Sequence, residues 1–216
     1  MPQSKRPLLV GITGNIGSGK STFCQSLIEQ GIAVYFADTI ANQRLEDPKI
    51  VDTLVQHFSE SILSGYLHCG LIDRKKLAEI VFHKAEELKF LNALIHPKVL
   101  MDLQEIVENS TEQLICIEVP LLFEVGLQNC FDFLVLICAP ETLRLERLKS
   151  RCEPEAELKK RMQAQMDDAV KRDKVDCVVE NNGSPEDLDF AATKLLTRLS
   201  EATKKQVKPF YEDKAQ

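Results

Sequence analysis

Nine residues carry the strongest chemical signal in the chain: Gly14-Asn15-Ile16-Gly17-Ser18-Gly19-Lys20-Ser21-Thr22. They fit the pattern G-x-x-x-x-G-K-[ST]. A loop of this kind binds phosphate because glycines permit turns that aim successive backbone N–H groups inward. The helix expected to start near Lys20 adds the positive end of its dipole. Residues Asn15 to Thr22 would cradle the phosphates, Lys20 would reach the β- and γ-phosphates, and the Ser21 hydroxyl would ligate Mg²⁺. A dinucleotide-binding G-x-G-x-x-G reading fails, because Thr22 stands where the third glycine belongs. The chain has neither an N-K-x-D nor a D-x-x-G sequence, so a switch GTPase is disfavoured and a kinase or ATPase is favoured.

Other residues are candidates for the far side of a phosphoryl transfer. Asp38 closes the apolar run Tyr35-Phe36-Ala37, where a carboxylate could bind an acceptor hydroxyl and take its proton. It could equally cap a helix beginning at Thr39. Glu118 ends Leu114-Ile115-Cys116-Ile117, a position suited to orienting Mg²⁺, although many strands end in an acid. His96-Pro97 reads as a helix boundary with Pro97 opening a new helix. Asp73-Arg74 precedes an amphipathic run, so Asp73 could serve as a cap. Arg144, Arg147 and Arg151 fall near one helical face, followed by Arg161 and Lys171. Arginines that close over a γ-phosphate stabilise its spreading charge and exclude water. A charge run of this kind is also what a solvated face looks like.

These residues need elements to hold them. Continuous apolar runs at 8–13, 33–37, 114–118, 133–138 and 176–179 read as strands buried on both faces. Helical patterns at 20–30, 140–151 and 185–199 alternate with them. That alternation predicts an α/β fold with a mostly parallel sheet. Residues 45–110 hold no convincing strand and read as an inserted helical subdomain, and 148–172 read as an exposed charged flap. The tail after Thr203 is polar, and its last residues are expected to fray.

Composition narrows the classes. The 216 residues suit one domain with insertions, and a chain of this length can bury a core without disulfides. A hydrophobic fraction of 44% excludes extensive disorder. The formal charge of −6 argues against a broad nucleic-acid surface. No apolar run is long enough to span a bilayer or form a signal-peptide core, so a cytoplasmic location is expected. The 7 cysteines form no C-x-x-C pair and the 4 histidines lack ligand spacing, so reduced thiols and no zinc are expected. Cys24 lies one helical turn beyond Lys20, where thiol modification would disturb the loop.

Taken in order from about residue 8 to 200, these motifs resemble the dephospho-CoA kinase family. The resemblance rests on Gly11 to Thr22, Phe36-Ala37-Asp38, Gly70 to Arg74, Ile80-Val81-Phe82 and His96-Pro97. It continues through Pro120-Leu121-Leu122-Phe123-Glu124, Gly126-Leu127, Arg161, Gln165-Met166, Lys171 and Asn181-Asn182-Gly183. It implies a P-loop kinase fold: a five-stranded parallel sheet flanked by helices, with a helical acceptor-binding insertion and a helical lid. The implied boundaries are 1–44, 112–147 and 173–216 for the nucleotide-binding core, 45–111 for the insertion and 148–172 for the lid. The implied reaction moves the γ-phosphoryl of ATP to the ribose 3′-hydroxyl of dephospho-CoA with Mg²⁺, the last step of coenzyme A synthesis.

Carried over by position, Asp38, Lys20 and Arg147 would be catalytic. Arg144 and Asn181 would join the loop in binding ATP. Arg74, His96, Leu121, Phe123, Glu124 and Arg161 would lie on the acceptor side with Asp38. Ser21 and Glu118 would serve the metal. Neither nucleic acid nor membrane is an expected partner, and the chain would act as a monomer or weak homo-oligomer. It departs from the family pattern at Phe36, Leu100 and Cys152, at Glu118 in place of Asp, and at Asn15 in place of Gly. An outward-pointing side chain would accommodate Asn15.

Overall fold

The computed structural model describes residues 6–63, 72–149, 158 and 162–212. Five apolar runs become strands because both of their faces are covered: β1 Leu8–Thr13, β2 Ala33–Phe36, β3 Leu114–Glu118, β4 Phe133–Cys138 and β5 Cys177–Glu180. They form one sheet in the order β2-β3-β1-β4-β5, with every pairing parallel. Register brings Ile12 opposite Glu118, Thr13 opposite Leu136, and Phe36 opposite Glu118 on its other side. The carboxyl ends therefore share one edge. β1 sits centrally between β3 and β4, at the place where the chain order reverses, and ligands bind at such a crevice.

By contacts the chain divides into two units, Met1–Phe36 with Val107–Pro209 and Ala37–Ile106 with Phe210–Gln216. This division passes after Phe36, whereas the sequence reading kept residues up to 44 with the core.

In the first unit, helices α1 Lys20–Glu29 and α8 Pro185–Leu199 flank the sheet. Phe23 and Leu27 of α1, Leu188 and Leu195 of α8, and Val10, Ile12, Val135 and Ile137 of the strands share one buried cluster. Each such side chain contributes about 1.5–3 kcal/mol of burial. Helix α6 Glu141–Lys149 follows β4, and the short α7 Asp168–Arg172 precedes β5. The polar tail is tied down where it is described. Asp132, 1% exposed, accepts from Lys205 N at 2.6 Å and from Arg6 at 2.6 and 2.8 Å. Lys208 N donates to Asn129 O at 2.9 Å.

The second unit holds α2 Ala37–Arg44, α3 Pro48–Phe58, α4 Arg74–His83 and most of α5 Ala85–Asn109. Its core is Ile50, Val51, Leu54, Ile62, Ile72, Leu77 and Val81. Pro97 lies inside α5 and opens no new helix, contrary to the sequence reading. A proline removes one N–H bond and crowds the preceding turn, at about 3 kcal/mol. The apolar row Leu91, Ile95, Val99 and Leu103 continues across it at four-residue spacing, with Val99 and Leu103 buried, so burial carries the helix through.

Candidate active site

The loop after β1 is shaped for an anion. Helix α1 begins at Lys20 behind Gly19, with no side-chain cap and no acid in its first turn. By contrast, α3, α4 and α7 are capped by the carboxylates of Asp47, Asp73 and Asp167. The first N–H groups of α1 thus keep the positive end of the dipole for a ligand. Gly17 and Gly19 have φ of 79° and 95°. A Cβ at Gly17 would meet the Arg144 backbone at 2.9 Å, and one at Gly19 would collide with the Asn181 side chain. Asn181 donates from Nδ2 to Ser18 O at 2.7 Å, so the residue that follows β5 braces the loop.

Lys20 is 9% exposed and lies 3.8 Å from Glu118 Oε1, itself 5% exposed. Lys20 Nζ also donates to Asn15 O at 3.4 Å. Ser21 and Thr22 are exposed at the start of α1. Asn15 does not point outward. It is 5% exposed, accepts from Lys171 Nζ at 2.9 Å and donates to Met166 O at 3.3 Å. Ile16 N donates to the Gln165 side chain at 2.8 Å.

Arg144 and Arg147 leave one face of α6 toward this loop. Arg147 donates to Gly17 O at 3.5 Å and to Asn181 O and Oδ1 at 3.2 and 3.3 Å. Among the described residues, the Arg144 Nε and one Asp168 oxygen are buried without a hydrogen-bond partner. Burial pushes the Asp168 carboxyl up, against the opposing pull of Arg144. Arg151 and Arg161 lie outside the described residues, as does much of the expected lid. In the run after Pro120, Leu121 is 40% exposed and Phe123 is buried, with Lys174 Nζ 6.0 Å from its ring centroid. Glu124 turns inward: its Oε1 accepts from Met166 N at 2.7 Å and lies 3.1 Å from Lys171 Nζ.

Asp38, Arg74 and His96 belong to the second unit. Helix α2 starts at Ala37, so Asp38 stands exposed within its first turn and does not cap a helix beginning at Thr39. The physical reason is that β2 ends at Phe36 and the chain coils at once. Asp73 caps α4, accepting from Lys75 N and Lys76 N. Arg74 donates to Glu46 at 2.7 Å and to Asn42 O at 3.3 Å, half exposed. His96 lines a shallow pocket with Lys89, Ala93 and Pro97, and its partial burial lowers its pKa.

The dephospho-CoA kinase family model matches residues 8–187. A dephospho-CoA kinase of Fusobacterium nucleatum is 38% identical over 182 residues, covering 84% of this chain and 93% of that protein.

The chain belongs to the dephospho-CoA kinase family.

A dephospho-CoA kinase of Thermus thermophilus is 36% identical over 203 residues, covering 94% of this chain and 97% of that protein. A solved structure from the same organism superposes with a TM-score of 0.77 at 37% identity, covering 90% of this chain and 99% of that chain. The dephospho-CoA kinase of Campylobacter jejuni superposes at 0.65 with 28% identity, covering 89% and 97%. A shikimate kinase of Acinetobacter baumannii, at 16% identity and 0.52, shares the P-loop kinase fold.

Beyond the site residues expected from the sequence of this dephospho-CoA kinase family member, the structure adds Gln165 and Lys171 as residues bonded to the loop. Gln165 and Lys171 were visible as motif positions. Their contacts were not, because a run dense in charge reads as solvated. Cys24 also changes meaning. It is fully buried, and burial together with Glu118 pushes its thiol well up, so it is no accessible handle on the loop. No three His, Cys, Asp or Glu side chains form a metal cluster among the described residues.

Proposed function

We propose that this chain transfers the γ-phosphoryl group of ATP to the ribose 3′-hydroxyl of dephospho-CoA, giving CoA and ADP. The observation that carries this reading is the phosphate loop. Gly14–Thr22 leads from the central strand into an uncapped helix, with Lys20 held 3.8 Å from Glu118. In the transfer the acceptor O3′ bonds to the γ-phosphorus as the bond to the ADP oxygen breaks. The hydroxyl proton passes to Asp38 and then to solvent. If the transition state is loose, proton removal is late and Asp38 serves chiefly to orient the hydroxyl.

Lys20 and Arg147 neutralise charge on the transferring group. Arg144 and Asn181 complete the ATP side, and Arg74, His96, Leu121, Phe123, Glu124 and Arg161 the acceptor side. The oxygen donors Ser21 and Glu118 suit Mg²⁺, which takes one or two protein oxygens and fills its shell with phosphate and water. When bound, the ion supplies charge neutralisation between the β- and γ-phosphates. We assign 148–172 as the lid and 45–111 as the acceptor-binding insertion. The chain acts in the cytoplasm as a monomer or weak homo-oligomer, and no helix among the described residues is long and apolar enough to cross a membrane.

The test is ADP release from MgATP with and without dephospho-CoA, with AMP and adenosine as competing acceptors. Release that requires dephospho-CoA and yields CoA supports the assignment. ATP binding without turnover on any of these acceptors refutes it and favours a non-catalytic ATP-binding regulator.

A further inference from the structure

We propose that Lys171 is a positioning residue for the phosphate loop, acting on Lys20 through Asn15. This rests on the reading of Gly14–Thr22 as the ATP loop.

Lys171 is 0% exposed. Removing an ammonium group from water costs several kcal/mol unless charge and hydrogen bonds compensate. Here Glu124 Oε1 lies 3.1 Å from Nζ, and Asn15 Oδ1 accepts at 2.9 Å. Full burial and this double engagement leave Lys171 turned away from any ligand in solvent, so it does not serve as a direct phosphate contact. What it holds is Asn15. The amide of Asn15 is fixed at both ends, its oxygen by Lys171 and its nitrogen by Met166 O at 3.3 Å. An amide with a cation on one side and a carbonyl on the other has one orientation.

Fixing that side chain fixes the main chain beside it. The carbonyl of Asn15 accepts from Ser18 N at 3.0 Å, closing the turn of the loop, and from Lys20 Nζ at 3.4 Å. The path from Lys171 to Lys20 is therefore two polar contacts with one residue between them. The same segment grips the next residue, because Gln165 Oε1 accepts from Ile16 N at 2.8 Å. Glu124 locks the segment in turn, since its Oε1 also accepts from Met166 N at 2.7 Å. A glycine at position 15 would lack the hub side chain, so this chain uses asparagine as a structural connection.

The experiment is a double-mutant cycle on the full chain with Asn15→Ala and Lys171→Met. It reads the ATP dissociation constant by calorimetry, kcat and KM with dephospho-CoA, and urea stability. If Lys171 acts through Asn15, each single change lowers kcat/KM for ATP by about 10- to 100-fold, the range expected of a displacement near 1 Å. The double variant then falls no further than the worse single, and KM for the acceptor stays within about twofold. Multiplying losses would overturn the proposal, and so would losses within about twofold.

Lys171→Met strands Glu124 without its cation and destabilises the fold. Lys171→Met/Glu124→Gln removes that charge, and the cycle is repeated with every member carrying Glu124→Gln. Recovery of stability without recovery of kcat/KM is the expected outcome. Recovery of both shows that Lys171 was only structural and refutes the positioning role. If the wild-type chain binds ATP but does not phosphorylate dephospho-CoA, the acceptor assignment has failed. The cycle is still read from ATP affinity, and additivity there refutes the positioning role on its own.

Discussion

Replacing Gly19 by Ala tests whether the backbone geometry of the loop makes the ATP site. Gly19 has φ of 95°, and an added Cβ would overlap the Asn181 side chain. Two costs follow. A side chain in the left-handed region costs about 1–2 kcal/mol. Displacing Asn181 breaks its 2.7 Å bond to Ser18 O, worth about 1 kcal/mol. The sum is about 2–3 kcal/mol. If the loop relaxes to avoid this, ATP must restore the original shape, and its affinity falls by about 30- to 150-fold at 1.4 kcal/mol per decade. Gly31→Ala is the internal control. Its φ is 81°, so it carries the same backbone strain, but among the described residues no atom lies within 4 Å of the added Cβ. Calorimetric ATP titration and urea unfolding of both variants separate the effects. Gly31→Ala is expected to lose about 1–2 kcal/mol of stability with ATP affinity unchanged. Wild-type ATP affinity in Gly19→Ala would refute the account, as would an equal loss in Gly31→Ala.

Asp38→Asn is expected to lower kcat by about 10²- to 10⁴-fold with ATP affinity intact, and near-normal turnover would remove Asp38 from the mechanism. Cys24 and Cys116 are fully buried, and burial raises the Cys116 thiol to about 12. In the native protein at pH 8 neither is expected to react with iodoacetamide while urea-unfolded chain is fully modified, and mass spectrometry of native digests showing early Cys24 alkylation would contradict this. At Asp132, burial pushes the carboxyl up, but hydrogen bonds from Arg6, Leu9 N and Lys205 N outweigh it and hold it below the usual carboxylate range. A carboxyl depressed in the folded state adds stability above its unfolded pKa and loses it as pH falls through the folded value. Acid unfolding should therefore show this loss below about pH 4, and Asp132→Asn should remove about 2–3 kcal/mol at neutral pH while flattening the acid limb. An unchanged acid limb in that variant would show that the Arg6–Asp132 lock is not what the pH titrates.

The strand, loop and helix around Gly14–Thr22 were legible because they are local. The loop, its strand and its helix occupy adjacent residues, and glycine spacing, apolar runs and one lysine carry the information in order. β1, β3 and β4 begin and end where their runs do, since a strand buried on both faces is apolar up to its last residue. Sequence also specified Asp73 as a cap candidate, because capping is a contact of two to three residues.

Tertiary structure decided the rest. Pro97 looks like a break to any local rule, yet the apolar row crossing it keeps α5 continuous. The sequence suggests an outward-pointing Asn15, and Lys171 sits in a run whose charge density signals solvent. Both are buried because each satisfies the other across 156 positions of chain. No periodicity encodes such a pair. A charged side chain is placed by local pattern only when water is its partner. When another residue takes water's place, the fold alone determines which one.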